Sequence, residues 1–169
     1  MTVSNYSNPT LFLLAIFLWK PKAPSKVMTF SWLVAHRKVN TKDMLQLRRP
    51  YKSLSTHWCI LCKGNRESID HLFLHCSWNL RLWNKLFSLT RMDGVLPRSI
   101  ADIMIIYFRG LKNSIRGKTL WQIACLTLLW TVCLERNVRN FVEKMEIGRD
   151  VVGFVSLLLL CLGFLYYRF

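Results

Sequence analysis

Residues 59–76 read CILCKGNRESIDHLFLHC. Cys59 and Cys62 are spaced C-x2-C and are followed directly by Lys63 and Gly64. Two thiolates at that spacing can face one metal ion across a tight turn, and a glycine lets the backbone fold back on itself. Eight residues separate Cys62 from His71, and four separate His71 from Cys76, giving C-x2-C-x8-H-x4-C. Three cysteines and a histidine are a common donor set of closed, structural zinc sites. We therefore take Cys59, Cys62, His71 and Cys76 as candidate ligands and zinc as the expected cofactor. His57 and His75 flank the set. His71 is preferred over His75 because His75 adjoins Cys76, and neighbours on a helix point about 100° apart. Two other readings stay open: three buried thiols acting as small hydrophobes, or a redox pair with a bystander.

Working outward, residues 71–87 carry one helical stripe of Leu72, Cys76, Leu80, Trp83 and Phe87, with Asp70 placed to cap it. On the N-terminal side, Pro21 and Pro24 mark a break. A helix is expected from Lys26, with Val27, Phe30, Leu33 and Val34 on its inner face. A second, short helix over residues 41–47 follows, capped by Asn40 or Thr41, with Met44, Leu45 and Leu47 as its apolar contacts. Residues 100–108 are apolar and read as a helix in preference to a strand. Residues 110–118 are basic and read as flexible. A long helix is expected over residues 119–146, with Ile123, Thr127, Trp130, Leu134, Val138 and Phe141 buried. Glu135, Arg136, Arg139, Glu143 and Lys144 fall on its wet side. The expected fold is mainly α: a helix pair, a zinc knuckle leading into a helix, and a long C-terminal helix. Residues 19–90 form the zinc-binding module and residues 91–146 a helical extension of it. Residues 1–18 read as a leader outside the module.

Lys and Arg number 24 against 9 Asp and Glu, a formal charge of +15. Residues 20–66 hold eleven bases and one acid, Asp43. So lopsided a run favours polyanions, and the expected partner is RNA or DNA backbone. The candidate contacts are Arg37, Lys38, Arg48, Arg49 and Lys52, and Trp32, Trp58 and Trp78 are either stacking platforms or core. Six cysteines in 169 residues do not make a disulfide framework, and Cys125, Cys133 and Cys161 sit in apolar runs. Residues 11–19 are apolar but too short to span a bilayer and lack the flanks of a signal peptide. Residues 151–167 carry no charge. As a helix they would be about 25 Å long, at the lower limit of a membrane span of about 30 Å, so the tail packs, oligomerises or enters a bilayer.

With these residues in place, the chain resembles the zinc-binding domain found downstream of the reverse transcriptase in plant LINE-type, non-LTR retrotransposons. Four segments carry the likeness: WKPKAPSKVMTFSWLVAHRKVNTKDMLQLRR (19–49), CILC (59–62), ESIDHLFLHCSWNLRLW (67–83) and LLWTVCLERNVRNF (128–141). The resemblance implies zinc on Cys59, Cys62, His71 and Cys76. Nothing in the chain resembles a polymerase, a paired-Asp motif or a nuclease acid cluster. A catalytic zinc keeps a position open for water, and four protein ligands would fill this one. The expectation is a non-catalytic module with no small-molecule substrate. The alternative is a structural or interaction protein, anchored to a membrane if the tail inserts.

Overall fold

The computed structural model describes residues 9–19, 23–50, 58–90, 95–110 and 115–141. Among these the chain is helical: α1 (Pro9–Trp19), α2 (Ser25–Ala35), α3 (Lys42–Arg48), a single π-helical turn (His71–His75), α4 (Ser77–Thr90), α5 (Ile100–Gly110) and α6 (Ile115–Phe141). One isolated antiparallel bridge, Trp58 to Arg66, is the sole β pairing among the described residues. The mainly α reading holds, and residues 100–110 are helical.

The helix ends follow local chemistry. Thr41 caps α3, its hydroxyl accepting from the Met44 amide. α2 closes on a Schellman turn. Lys38 N–H donates to Leu33 O and Arg37 N–H to Val34 O, with Arg37 in the left-handed region at φ 57°. That turn makes room for the basic residues Arg37 and Lys38 between α2 and α3.

α6 is the axis of the fold, packing against α1, α2, α4, α5 and the π turn. Its buried residues are Trp121, Ala124, Cys125, Leu126, Leu128, Leu129 and Val132, which cover more than one stripe. The stripe expected from the sequence falls on the wrong face: Ile123, Thr127, Trp130 and Val138 are only half-buried, because the helix is flanked on several sides and turns its other faces fully inward. Leu134, expected inside, is exposed, whereas Glu135, expected outside, is 1% exposed. α6 is also long and apolar enough to cross a bilayer, but half of its most apolar window lies inside the fold. Its first turn starts at Ile115, inside the segment expected to be flexible.

Residues 9–18, read from the sequence as lying in a leader, form with Trp19 a helix of this core. Leu14, Phe17 and Leu18 are buried. Gln122 of α6 donates from Nε2 to the Phe17 carbonyl at 2.9 Å. The core is one cluster that runs from Leu14 to Val132. Two smaller expectations change. Leu33 sits at the surface of α2 while Ser31, Val34 and Ala35 face inward. Leu47 of α3 is 76% exposed, because this short helix buries no residue fully. Cys125 is a buried hydrophobe. Residues 151–167 and Cys161 lie outside the described residues.

Candidate metal centre

The first two candidate ligands sit in a tight knuckle. Cys59 N–H donates to Asn65 O at 2.7 Å, and Lys63 N–H donates to Cys59 O at 2.8 Å. The reversal is made by Lys63, at φ 55°, and no described glycine has a positive φ. Gly64, read from the sequence as what lets the backbone fold back, is therefore not the residue that makes the reversal. The Trp58–Arg66 bridge closes the loop beneath.

The other two ligands depend on a departure from α geometry. Along an α-helix at about 100° per residue, residues five apart point about 140° away from each other. In the continuous helix expected over residues 71–87, His71 and Cys76 would therefore point apart. The structure resolves the conflict with a π turn over His71–His75 whose last bond runs from Cys76 N–H to His71 O, 2.6 Å. A π turn brings residues i and i+5 back into line. Cys76 itself is extended, with φ −60° and ψ 132°, and α4 restarts at Ser77. The interruption leaves carbonyls without helical donors. Asn79 Nδ2 serves those of Leu72 and Phe73, and Trp83 Nε1 donates to Phe73 O at 2.9 Å. The break also rephases the buried stripe of α4 to Asn79, Leu82, Trp83, Leu86 and Phe87, leaving Leu80 half-buried.

Asp70 does not cap this turn. Ser68 does, its hydroxyl accepting from His71 N–H at 3.1 Å. Asp70 instead pairs with Arg37 and accepts from Ile100 N–H at the start of α5.

These turns bring Cys59, Cys62, His71 and Cys76 together, with every ligand atom within 4.8 Å of the others. Cys59 Sγ lies 3.9 Å from Cys76 Sγ, and Cys62 Sγ lies 3.3 Å from His71 Nε2. Tetrahedral zinc with bonds near 2.0–2.3 Å separates its ligand atoms by about 3.5–3.8 Å. His75 turns away, its Nε2 against Arg98 O at 3.3 Å. Cys59 and Cys76 are fully buried and the other two half-buried. The Cys76 contact, aided by burial, pushes the Cys59 thiol up, and the same contact holds Cys76 down. Burial, with His75 nearby, lowers His71 and favours the neutral imidazole that binds metal. Donor type and spacing fit zinc, which would be held by these four side chains with no open position.

A supporting layer was missed in the sequence. Glu67 is 0% exposed, and its Oε1 accepts from Arg136 Nε and Nη2 at 3.1 and 2.7 Å and from Lys42 N–H at 3.1 Å. Arg139 Nη1 donates to Leu61 O at 3.1 Å, and its Nε pairs with Glu135 at 2.6 Å. Arg136 and Arg139, expected on the wet side of α6, are thus committed inward. The one available signal was three charges, Glu135, Arg136 and Arg139, crowded together directly after the uncharged run of residues 119–134.

The basic candidates are placed differently. Arg37, Lys38, Arg48 and Arg49 are exposed around the α2–α3 turn, and Lys52 lies outside the described residues. Trp58 is 56% exposed at the knuckle rim. Trp32 is half-buried edge-on to His36, and Trp78 is half-buried with the Arg139 guanidinium 5.9 Å from its ring centroid.

Comparison with known proteins agrees with this centre. Residues 5–83 match the family described as zinc-binding in reverse transcriptase. The match begins inside the segment first read as a leader and ends at Trp83, so it takes in α1 and all four candidate ligands. A 102-residue alignment, 31% identical, relates 60% of the chain to an Arabidopsis thaliana protein named "Putative ribonuclease H protein". It covers 16% of that protein's length. No solved structure matches. Over residues 5–83, then, the chain is similar to the zinc-binding domain of reverse transcriptases, and the Cys3His cluster inside that stretch fits zinc.

Proposed function

We propose that the chain is a non-catalytic, zinc-stapled module derived from a retrotransposon reverse transcriptase polyprotein, and that it holds RNA or DNA backbone against the basic face around the α2–α3 turn. The observation that carries this is how the charges are spent. Four of the five described acids are tied up internally or in surface pairs: Asp43 with Arg66, Asp70 with Arg37, Glu67 with Arg136 and Glu135 with Arg139. Lys38, Arg48, Arg49 and Lys63 have no acidic partner among the described residues and reach solvent. That leaves a surface of nearly one sign, which attracts phosphates by displacing condensed counterions. Trp58, exposed and bridged to Arg66, adds a flat ring on which an unpaired base can stack. The Cys3His cluster is the sole group of three or more metal-ligating side chains among the described residues, which favours a stapling role over catalysis.

The test is binding of the full chain to generic single-stranded RNA and duplex DNA across a salt series. Log affinity should fall linearly with log salt, with a slope of about −0.7 to −0.9 per neutralised phosphate. Replacing Arg48, Arg49 and Lys52 by Gln should weaken binding and flatten the slope. A flat response, or no binding at about 50 mM salt, would leave a purely structural or interaction role.

A further inference from the structure

We propose that α6 is a splint for the metal centre. Arg136 and Arg139 lock the two chain segments that supply the ligands into one geometry, so the functional zinc-binding unit extends past residue 83 to include residues 115–141. The inference rests on the zinc reading of the Cys3His cluster. The four ligands come in two arms, the knuckle with Cys59 and Cys62 and the π turn with His71 and Cys76, joined by residues 63–70. Within one helix, residues three apart share a face. Arg139 reaches the knuckle arm by donating to the carbonyl of Leu61, one of the two residues between the cysteines, at 3.1 Å. Its guanidinium also lies 5.9 Å from the ring centroid of Trp78, two residues past Cys76. Arg136 reaches the second arm through Glu67, four residues before His71, with two nitrogens on one carboxylate oxygen at 3.1 and 2.7 Å. It ties in the α2–α3 turn as well, donating to Asn40 O at 3.1 Å.

The burial of Glu67 makes this more than a surface contact. Its carboxylate is 0% exposed, and Oε2 has no hydrogen-bond partner. Its charge is compensated by Arg136, which is itself largely buried at 14% side-chain exposure. A buried pair of this kind contributes little net stability but fixes geometry, because alternative arrangements strand a charge. Arginine is required for it, since one planar fork must serve Glu67 and the Asn40 carbonyl together. Residues that orient ligands from behind commonly set metal affinity by 10- to 100-fold.

The full chain is tested with zinc, by competition against a chromophoric chelator, and with cobalt(II), by its thiolate and d–d absorption. The pair variant Arg136→Met with Glu67→Met removes the tie without stranding a charge. Arg139→Lys keeps a cation beside Glu135 but loses the fork that also reaches Leu61 O. Each should fold, with unchanged helicity in circular dichroism, yet bind zinc about 10- to 100-fold more weakly and show a shifted cobalt spectrum. Lys26→Met, at an exposed position on α2, should change neither. Zinc held within about threefold of the unaltered chain by both variants, with the same cobalt spectrum, overturns the splint. Absence of zinc from the unaltered chain overturns the metal centre itself and the splint with it.

Discussion

Two histidines stand four residues apart beside the same cysteine, and only geometry separates them. His71 Nε2 lies 3.3 Å from Cys62 Sγ, whereas His75 Nε2 lies against the Arg98 carbonyl. His71→Ala should therefore abolish stoichiometric zinc, as should serine at Cys59, Cys62 or Cys76, while His75→Ala should retain it. Metal analysis of the purified variants decides the matter, and equal loss from His75→Ala would move the fourth ligand. The sequence named this donor set from spacing alone because ligand chemistry is local and restricted to few residue types. What it misassigned at this scale were conformations and caps. Lys63, not Gly64, takes the left-handed turn, and Ser68, not Asp70, caps the π turn. Several residues in each segment could serve such roles, and the choice is made by packing that spacing does not encode.

Among the elements, the junction between the π turn and α4 carries the most consequence. A continuous helix from His71 would turn Cys76 away from the metal, so the chain changes ladder type and then breaks. Asn79 and Trp83 replace the donors the ladder loses. Leaving a buried carbonyl without a partner costs about 1–3 kcal/mol. Asn79→Ala should cost about that much in a denaturant melt and loosen the Cys76 arm, read as faster zinc release. A melt shifted by less than about 0.5 kcal/mol would show that these carbonyls find other donors. Periodicity found the helices themselves, including α2, α3 and α4, but it registers a helix's axis and not a local change of pitch. The same limit explains α6. In a helix that is apolar nearly all round, periodicity does not single out a face, and packing against four other helices buries the faces beside the expected stripe of Ile123, Thr127, Trp130, Leu134 and Val138 instead. Charged residues in that helix therefore looked solvated when Glu135, Arg136 and Arg139 were engaged inward.

At the scale of the whole molecule, the metal cluster sits at the edge of a single helical core that runs from α1 to α6. α1 was legible as an apolar run but not as part of the fold, since nine uncharged residues fit a leader as well as a core helix. Its membership appears only when Phe17 and Leu18 are seen against α6 through Gln122. The charge surplus was legible at once because net charge needs no structure. Which bases remain free was not, because Arg37, Arg66, Arg136 and Arg139 are spent on acids brought near by folding. The account makes zinc the tie between the knuckle and the helical body, and binding free energies of about 10 kcal/mol or more are available from such sites. The most direct measurement is zinc content and helicity of the full chain before and after chelation. One zinc per chain, with loss of helical circular dichroism on chelation and recovery on adding zinc back, is the predicted result. A chain that purifies without metal and keeps its helicity unchanged under chelator would contradict it.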